Sequence, residues 1–153
     1  MLDYETLDAI ADAYTPLLGG LWLLLAVSPL PRGQWRLAAL RIALGLTTLV
    51  VCYGLMFADK ALGLWPALGL DYSTHSAVAI AAVGILGTLL PRLRPTWIAS
   101  LLAYFALMLY QRYHSLADIA TTTAVIAPPV VWLCMRFAPH VAPIGHRQPA
   151  PQP

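Results

Sequence analysis

Apolar residues gather into five long runs, at about 14–30, 35–57, 73–90, 96–110 and 115–137, parted by short stretches rich in Pro, Gly and charge. Runs of this length approach the roughly 20 residues a helix needs to cross a bilayer, so the pattern predicts five transmembrane helices. Residues 1–13 differ. Leu2, Leu7, Ile10 and Ala11 are interleaved with Asp3, Glu5, Asp8 and Asp12, which predicts a short amphipathic helix lying at the membrane surface. Four prolines fall within 140–153, and 138–153 is expected to form a disordered cytoplasmic tail. No internal repeat is evident, so 1–137 reads as one transmembrane domain.

Composition sharpens this. Of 153 residues, 59% are hydrophobic and only 10% charged, with a mean hydropathy of +0.70. Soluble domains carry roughly 25% charged residues. So few charges cannot build a water-facing surface, which excludes an ordinary cytosolic enzyme, a nucleic-acid-binding module and a disordered regulator. The expected fold class is an all-α, polytopic integral membrane helical bundle. Cys52 and Cys134 both lie inside apolar runs and read as small apolar residues rather than a disulfide framework. The acidic N-terminus lacks a basic n-region, so no cleavable signal peptide is expected.

The net charge of +2 says less than its distribution. Arg32, Arg36, Arg92, Arg94, Arg136 and Arg147 fall on or beside alternate connections, and Arg41 can snorkel to the same side, which makes seven of the nine basic residues. Those connections are expected to be cytoplasmic. The other side holds only Lys60 and Arg112, together with all seven acids. The N-terminus is then outside and the C-terminus inside, in what reads as a bacterial inner (plasma) membrane. Trp22, Trp35, Trp65, Trp97 and Trp132 are candidate interfacial anchors, Trp22 alternatively a core residue. Ala77, Ala81 and Gly84 give the third span a face that another helix can approach closely. Pro128 and Pro129 are expected to kink the fifth.

Ionisable groups in apolar segments are costly and therefore candidate functional residues. His75 opens the third run; His114 and Asp118 open the fifth. The topology puts all three at one depth on the outer side. His114 and Asp118 are spaced i, i+4, which on a helix places them on one face. The carboxylate can there accept the imidazole Nδ1–H and leave Nε2 free as nucleophile or base. Ser73 or Thr74 is a candidate N-cap, and a helix N-terminus with free N–H groups suits phosphate oxygens. Lys60 and Arg112 add positive charge on that side. Each residue also has a plainer reading. His75 can be a cap histidine, and His114 with Asp118 a helix-start pair. Arg112 can be an interfacial anchor, and Lys60 or Asp71 a loop charge.

With these residues in view, the chain resembles the type 2 phosphatidic acid phosphatase superfamily. Ser73-Thr74-His75 is similar to its Ser-Gly-His motif, and His114-Ser115-Leu116-Ala117-Asp118 to its His-x3-Asp motif. The same stretches are similar to the sphingomyelin-synthase-like branch, and the resemblance covers about 55–130. It implies a phosphohistidine mechanism. His114 would be the nucleophile, Asp118 would orient it, and His75 would be general acid and base. Ser73, Thr74, Lys60 and Arg112 would hold the phosphoryl oxygens. The implied substrate is a lipid phosphate or pyrophosphate at the outer leaflet, and the reaction hydrolysis or head-group transfer to another lipid.

The chain also departs from the family pattern. Thr74 stands where the motif has glycine; Ala67 and Leu68 follow Lys60 where an Arg-Pro pair is expected; and Met108 stands where an arginine precedes the nucleophile. An inactive scaffold or lipid-binding relative is therefore a rival reading. Haem ligation by His75 and His114, or a metal on His75, His114 and Asp118, are others. No cofactor or metal is called for, since two imidazoles and two cations supply acid, nucleophile and charge. Expected partners are membrane lipids, with no nucleic acid and homo-oligomerisation left open.

Overall fold

The computed structural model describes residues 4–141. Five helices carry most of them: α1 (Tyr4–Val27), α2 (Trp35–Leu62), α3 (Thr74–Leu89), α4 (Arg94–Tyr110) and α5 (Leu116–Val141). The described residues contain no strand, and the architecture is an all-α helical bundle. Short 3₁₀ turns at Leu30–Arg32, Pro66–Leu68 and Pro91–Leu93 each carry proline early, where a helix has no use for the missing N–H.

α1, α2, α4 and α5, taken with flanking turns, are long and apolar enough to cross a membrane; α3, with 16 residues, is shorter. The outer surface is apolar as well. Leu17, Leu24, Val50, Phe57, Leu102 and Met135 are each more than 60% exposed, a surface suited to lipid rather than water. These features are compatible with an integral membrane protein.

The short helix is the central one. α3 packs against all four others, most extensively against α5, and most of its residues are buried. Small side chains make this arrangement fit. Ala77 and Ala81 are sealed in the core with Ile126, Val130 and Cys134. A Cβ on Gly84 would stand 3.0 Å from Val130 Cγ1, so α5 side chains rest directly on the α3 backbone there. α5 itself runs unbroken through Pro128 and Pro129.

The bundle alternates up and down, so α1, α3 and α5 begin at one end and finish at the other. Arg41, near the start of α2, pins the far end. Its Nε and Nη2 donate to Val141 O at 3.2 Å, and its Nη1 to Leu25 O at 2.8 Å. A guanidinium thus sits at the carbonyl ends of α1 and α5, where the helix dipoles favour a cation. Trp22 is a packing residue rather than an interfacial anchor. Its indole donates to Arg41 O at 3.2 Å, and its ring occupies the space a Cβ on Gly45 would need.

Two boundaries differ from the sequence expectation. Residues 4–13 are the first turns of α1, not a separate surface helix. Ala11 is buried with Tyr104, Met108 and Ile119, and Tyr14 stacks on Tyr104 at 4.2 Å between ring centroids. Tertiary packing against α4 therefore holds the acidic segment in line with the span. At the other terminus, residues 138–141 are helical and Val141 is buried beneath Arg41. Residues 1–3 and 142–153, with most of the expected tail, lie outside the described residues.

Candidate functional site

The end of the bundle where α1, α3 and α5 begin gathers most of the residues picked out from sequence. His75 lies in the first turn of α3, and His114 in the turn between α4 and α5. Though 39 residues apart in sequence, their rings approach to 6.5 Å between centroids, inclined at 52°. His75 is exposed and His114 half-buried. Neither imidazole makes a hydrogen bond to the described residues. Burial holds the His114 imidazole below its ordinary pKa of 6.5, and the facing His75 adds to this; the carboxylates of Asp118 and Asp71 oppose it. The net effect favours the neutral imidazole, with a free ring nitrogen.

The turn carrying His114 is built by two caps. α4 ends in a Schellman arrangement, with Arg112 N donating to Leu109 O at 3.1 Å and Tyr113 N to Met108 O at 3.1 Å. Arg112 takes the left-handed position, φ +58°, usually held by glycine. Its side chain is exposed and, among the described residues, has no ion-pair partner. Tyr113 OH donates to Asp8 Oδ1, which ties the start of α1 to the same turn.

α5 then begins with a capping box. Ser115 N and Oγ donate to Asp118 Oδ2 at 2.8 and 2.7 Å, and Asp118 N donates back to Ser115 Oγ at 3.2 Å. This corrects the expectation for Asp118. His114 precedes α5, so the two do not share a helix face, and no hydrogen bond joins them. The other carboxylate oxygen accepts from Asp71 N at 2.9 Å, and Asp118 is only 7% exposed. Asp118 is a latch between the coil before α3 and the start of α5. It sets the separation of the two histidines and reaches His114 through its charge.

A second strut runs beside it. Ser73 N donates to Thr122 Oγ1 at 3.1 Å, one turn along α5 from Asp118. Ser73 is fully buried and is the N-cap of α3, its Oγ accepting from Ser76 N at 3.3 Å. The hydroxyl is thus committed to the helix and to Ser76 Oγ. The N–H groups of Thr74 and His75 have no acceptor among the described residues and point out of the first turn. At about 24 Å, α3 is shorter than a bilayer's hydrocarbon core of about 30 Å. Asp118 and Thr122 satisfy the backbone N–H groups of Asp71 and Ser73 in the non-helical approach to α3.

Lys60 is not brought into the site. It is exposed in the last turn of α2, and no hydrogen bond or ion pair joins it to either histidine. Its neighbour Asp59 is the structural residue, accepting from Trp65 N at 2.8 Å, while Trp65 Nε1 reaches Thr121 Oγ1 at 3.0 Å. Among the described residues no three His, Cys, Asp or Glu side chains converge to hold a metal ion. The Asp118 oxygens face the backbone instead.

One residue escaped the sequence reading. Gln111, three before His114, is only 6% exposed, and neither end of its amide has a partner among the described residues. An amide so placed calls for a polar partner that its surroundings do not supply. The signal was its register, since Tyr104, Met108 and Gln111 fall on one buried face of α4. No protein-family model, curated protein or solved structure matches the chain, so the site's own chemistry carries the functional reading.

Proposed function

We propose that the chain is a membrane-embedded lipid phosphate phosphatase of the type 2 phosphatidic acid phosphatase kind, acting at the outer leaflet of a bacterial inner membrane. The observation that carries this is the meeting of His75 and His114, with two unsatisfied N–H groups of α3 and Arg112 in the adjoining turn. A tetrahedral phosphoryl group is of a size to touch both rings. Acid–base groups set within reach of one reacting centre are what phosphoryl transfer requires.

His114, neutral and unbonded, attacks phosphorus. The N–P bond forms as the P–O bond to the lipid breaks, and His75 delivers its proton to the leaving oxygen. His75 then takes a proton from water, which attacks phosphorus and restores His114. The Thr74 and His75 N–H groups and Arg112 stabilise the charge on the phosphoryl oxygens. Asp118 is a positioning residue that holds both histidine-bearing segments, and its charge favours the cationic phosphohistidine.

The test uses purified protein in detergent, without added metal, against a panel of lipid phosphates and pyrophosphates, following free phosphate and new lipid species. Phosphate release that disappears in His114→Ala supports the phosphatase reading. New lipid without free phosphate identifies instead a sphingomyelin-synthase-like phosphotransferase. The second reading is an inactive lipid-binding relative, favoured by the full commitment of Asp118 and Ser73 to capping. Absence of turnover on every substrate selects it. A reporter fused to the C-terminus and found outside the cell would overturn the proposed orientation.

A further inference from the structure

At the end of the bundle away from the histidines, an open groove of about 370 Å³ runs between α4 and α5. It exists because α4 leans on α3 and α1, leaving the second half of α3 as a floor. Ile98, Val131 and Met135 line the walls and are each at least half exposed, so the groove opens sideways along the bundle. From Ile80 to Thr88 its floor is about 12 Å long, against a leaflet's apolar depth of about 15 Å. Its volume falls within the roughly 300–1,000 Å³ of small-molecule sites.

Three side chains with polar atoms line the groove; the Thr88 hydroxyl is spent on Gly84 O at 2.8 Å, which leaves Trp97 and Arg94. Trp97 Nε1 is buried with no hydrogen-bond partner. Arg94 stands at the mouth, its Nε donating to Gly87 O at 2.8 Å; its two terminal amino groups have no acceptor among the described residues. An oriented guanidinium with free amino groups suits a phosphate. We propose that the groove binds one phospholipid from the leaflet opposite the histidines. An acyl chain lies along α3 beside the Trp97 ring, and the anionic headgroup phosphate rests on Arg94.

Charge favours this occupant over a second copy of the chain. The charged residues at this end, among those described, are Arg32, Arg36, Arg41, Arg92, Arg94 and Arg136, without one acid. A parallel second copy would bring like charge to the mouth. Neither histidine takes part, so the groove stands apart from the proposed catalysis.

The experiment places the full chain in phosphatidylcholine nanodiscs doped with brominated-acyl phosphatidylglycerol or brominated-acyl phosphatidylcholine. Tryptophan quenching is recorded, and the Trp97 contribution is isolated by subtracting Trp97→Phe. The expected result is saturable quenching of Trp97, half-complete at an about fivefold lower mole fraction for the anionic lipid, as for one basic side chain at a membrane surface. Arg94→Gln brings the two lipids together. Val131→Phe fills the groove, leaves Arg94 on Gly87, and removes the saturable phase for both lipids; it decides the matter alone if Arg94→Gln does not fold. Linear quenching alike for both lipids overturns the proposal. So does a shielded Trp97 in particles whose scattering mass is that of two chains.

Discussion

Asp118→Asn isolates the latch that sets the histidine pair. The carboxylate accepts three hydrogen bonds, at 2.9, 2.8 and 2.7 Å, one from Asp71 and two from Ser115. Asparagine has the same shape but only one acceptor oxygen. With that oxygen on Ser115, which offers two donors, the new NH2 faces Asp71 N–H. One charge-assisted bond is lost and the remaining two are weakened to neutral ones. At about 1.5–3 kcal/mol for a bond to a charged group, the substitution should cost 2–4 kcal/mol of stability, or roughly 30- to 800-fold in the folding equilibrium. The assay is equilibrium unfolding in mixed micelles with increasing SDS, read by far-UV circular dichroism.

His114→Ala is the control. The imidazole is half-buried and makes no hydrogen bond, so its removal should cost under about 1 kcal/mol. The two changes should be additive within about 0.5 kcal/mol, because the carboxylate bonds backbone and serine rather than imidazole. Asp118→Asn within 0.5 kcal/mol of wild type would refute the latch. A coupling above about 1 kcal/mol between the two substitutions would restore the direct imidazole–carboxylate pair expected from sequence.

Further expectations follow from the same contacts. Gly45→Ala drives a methyl into the Trp22 ring; it should cost about 1–3 kcal/mol, and Trp22→Leu should recover much of that in SDS unfolding. Arg112→Gly relieves the left-handed position and should leave stability unchanged or raised by up to about 1 kcal/mol, while phosphate release falls at least tenfold. In 13C-His-labelled protein the His114 resonance should titrate below 6.5, and Asp71→Asn should move its midpoint lower still by removing a nearby carboxylate. Because the unfolded chain takes up that proton first, His114 makes stability decline as pH falls from 6.5 toward the lowered value and level off beneath it. A midpoint above 6.5, or stability rising across that interval, contradicts the burial argument.

Much of the bundle was legible because membrane helices announce themselves by length and apolarity, and connections by arginine. The same charge pattern placed His75 and His114 at one end, where they meet. Other features were hidden for physical reasons. Residues 4–13 read as a surface helix because local alternation of acid and apolar side chains carries no news of Tyr104 or Tyr113, some 90 to 105 positions away, which hold that segment. The i, i+4 spacing of His114 and Asp118 suggested a shared face, but spacing means this only inside a helix. Ser115-x-x-Asp118 is also a capping pattern, and the cap prevails because its three bonds are local and form with the first turn. Gln111 passed unnoticed because a search for ionisable groups overlooks neutral amides.

The enclosure of α3 bears on how the protein is made. A helix of 16 residues is shorter than a bilayer's hydrocarbon core and has little to hold it in lipid on its own. Its approach is completed by Asp118 and Thr122, and its close-packed face by Val130 and Cys134, all on α5. During synthesis these partners emerge 44 to 60 residues after the start of α3 itself. Until then α3 can be only loosely seated, and the His75 end has no mate. The histidine pair therefore comes into being as the last act of assembly, and an interrupted chain leaves behind a helix poorly matched to a bilayer and open to quality-control proteolysis.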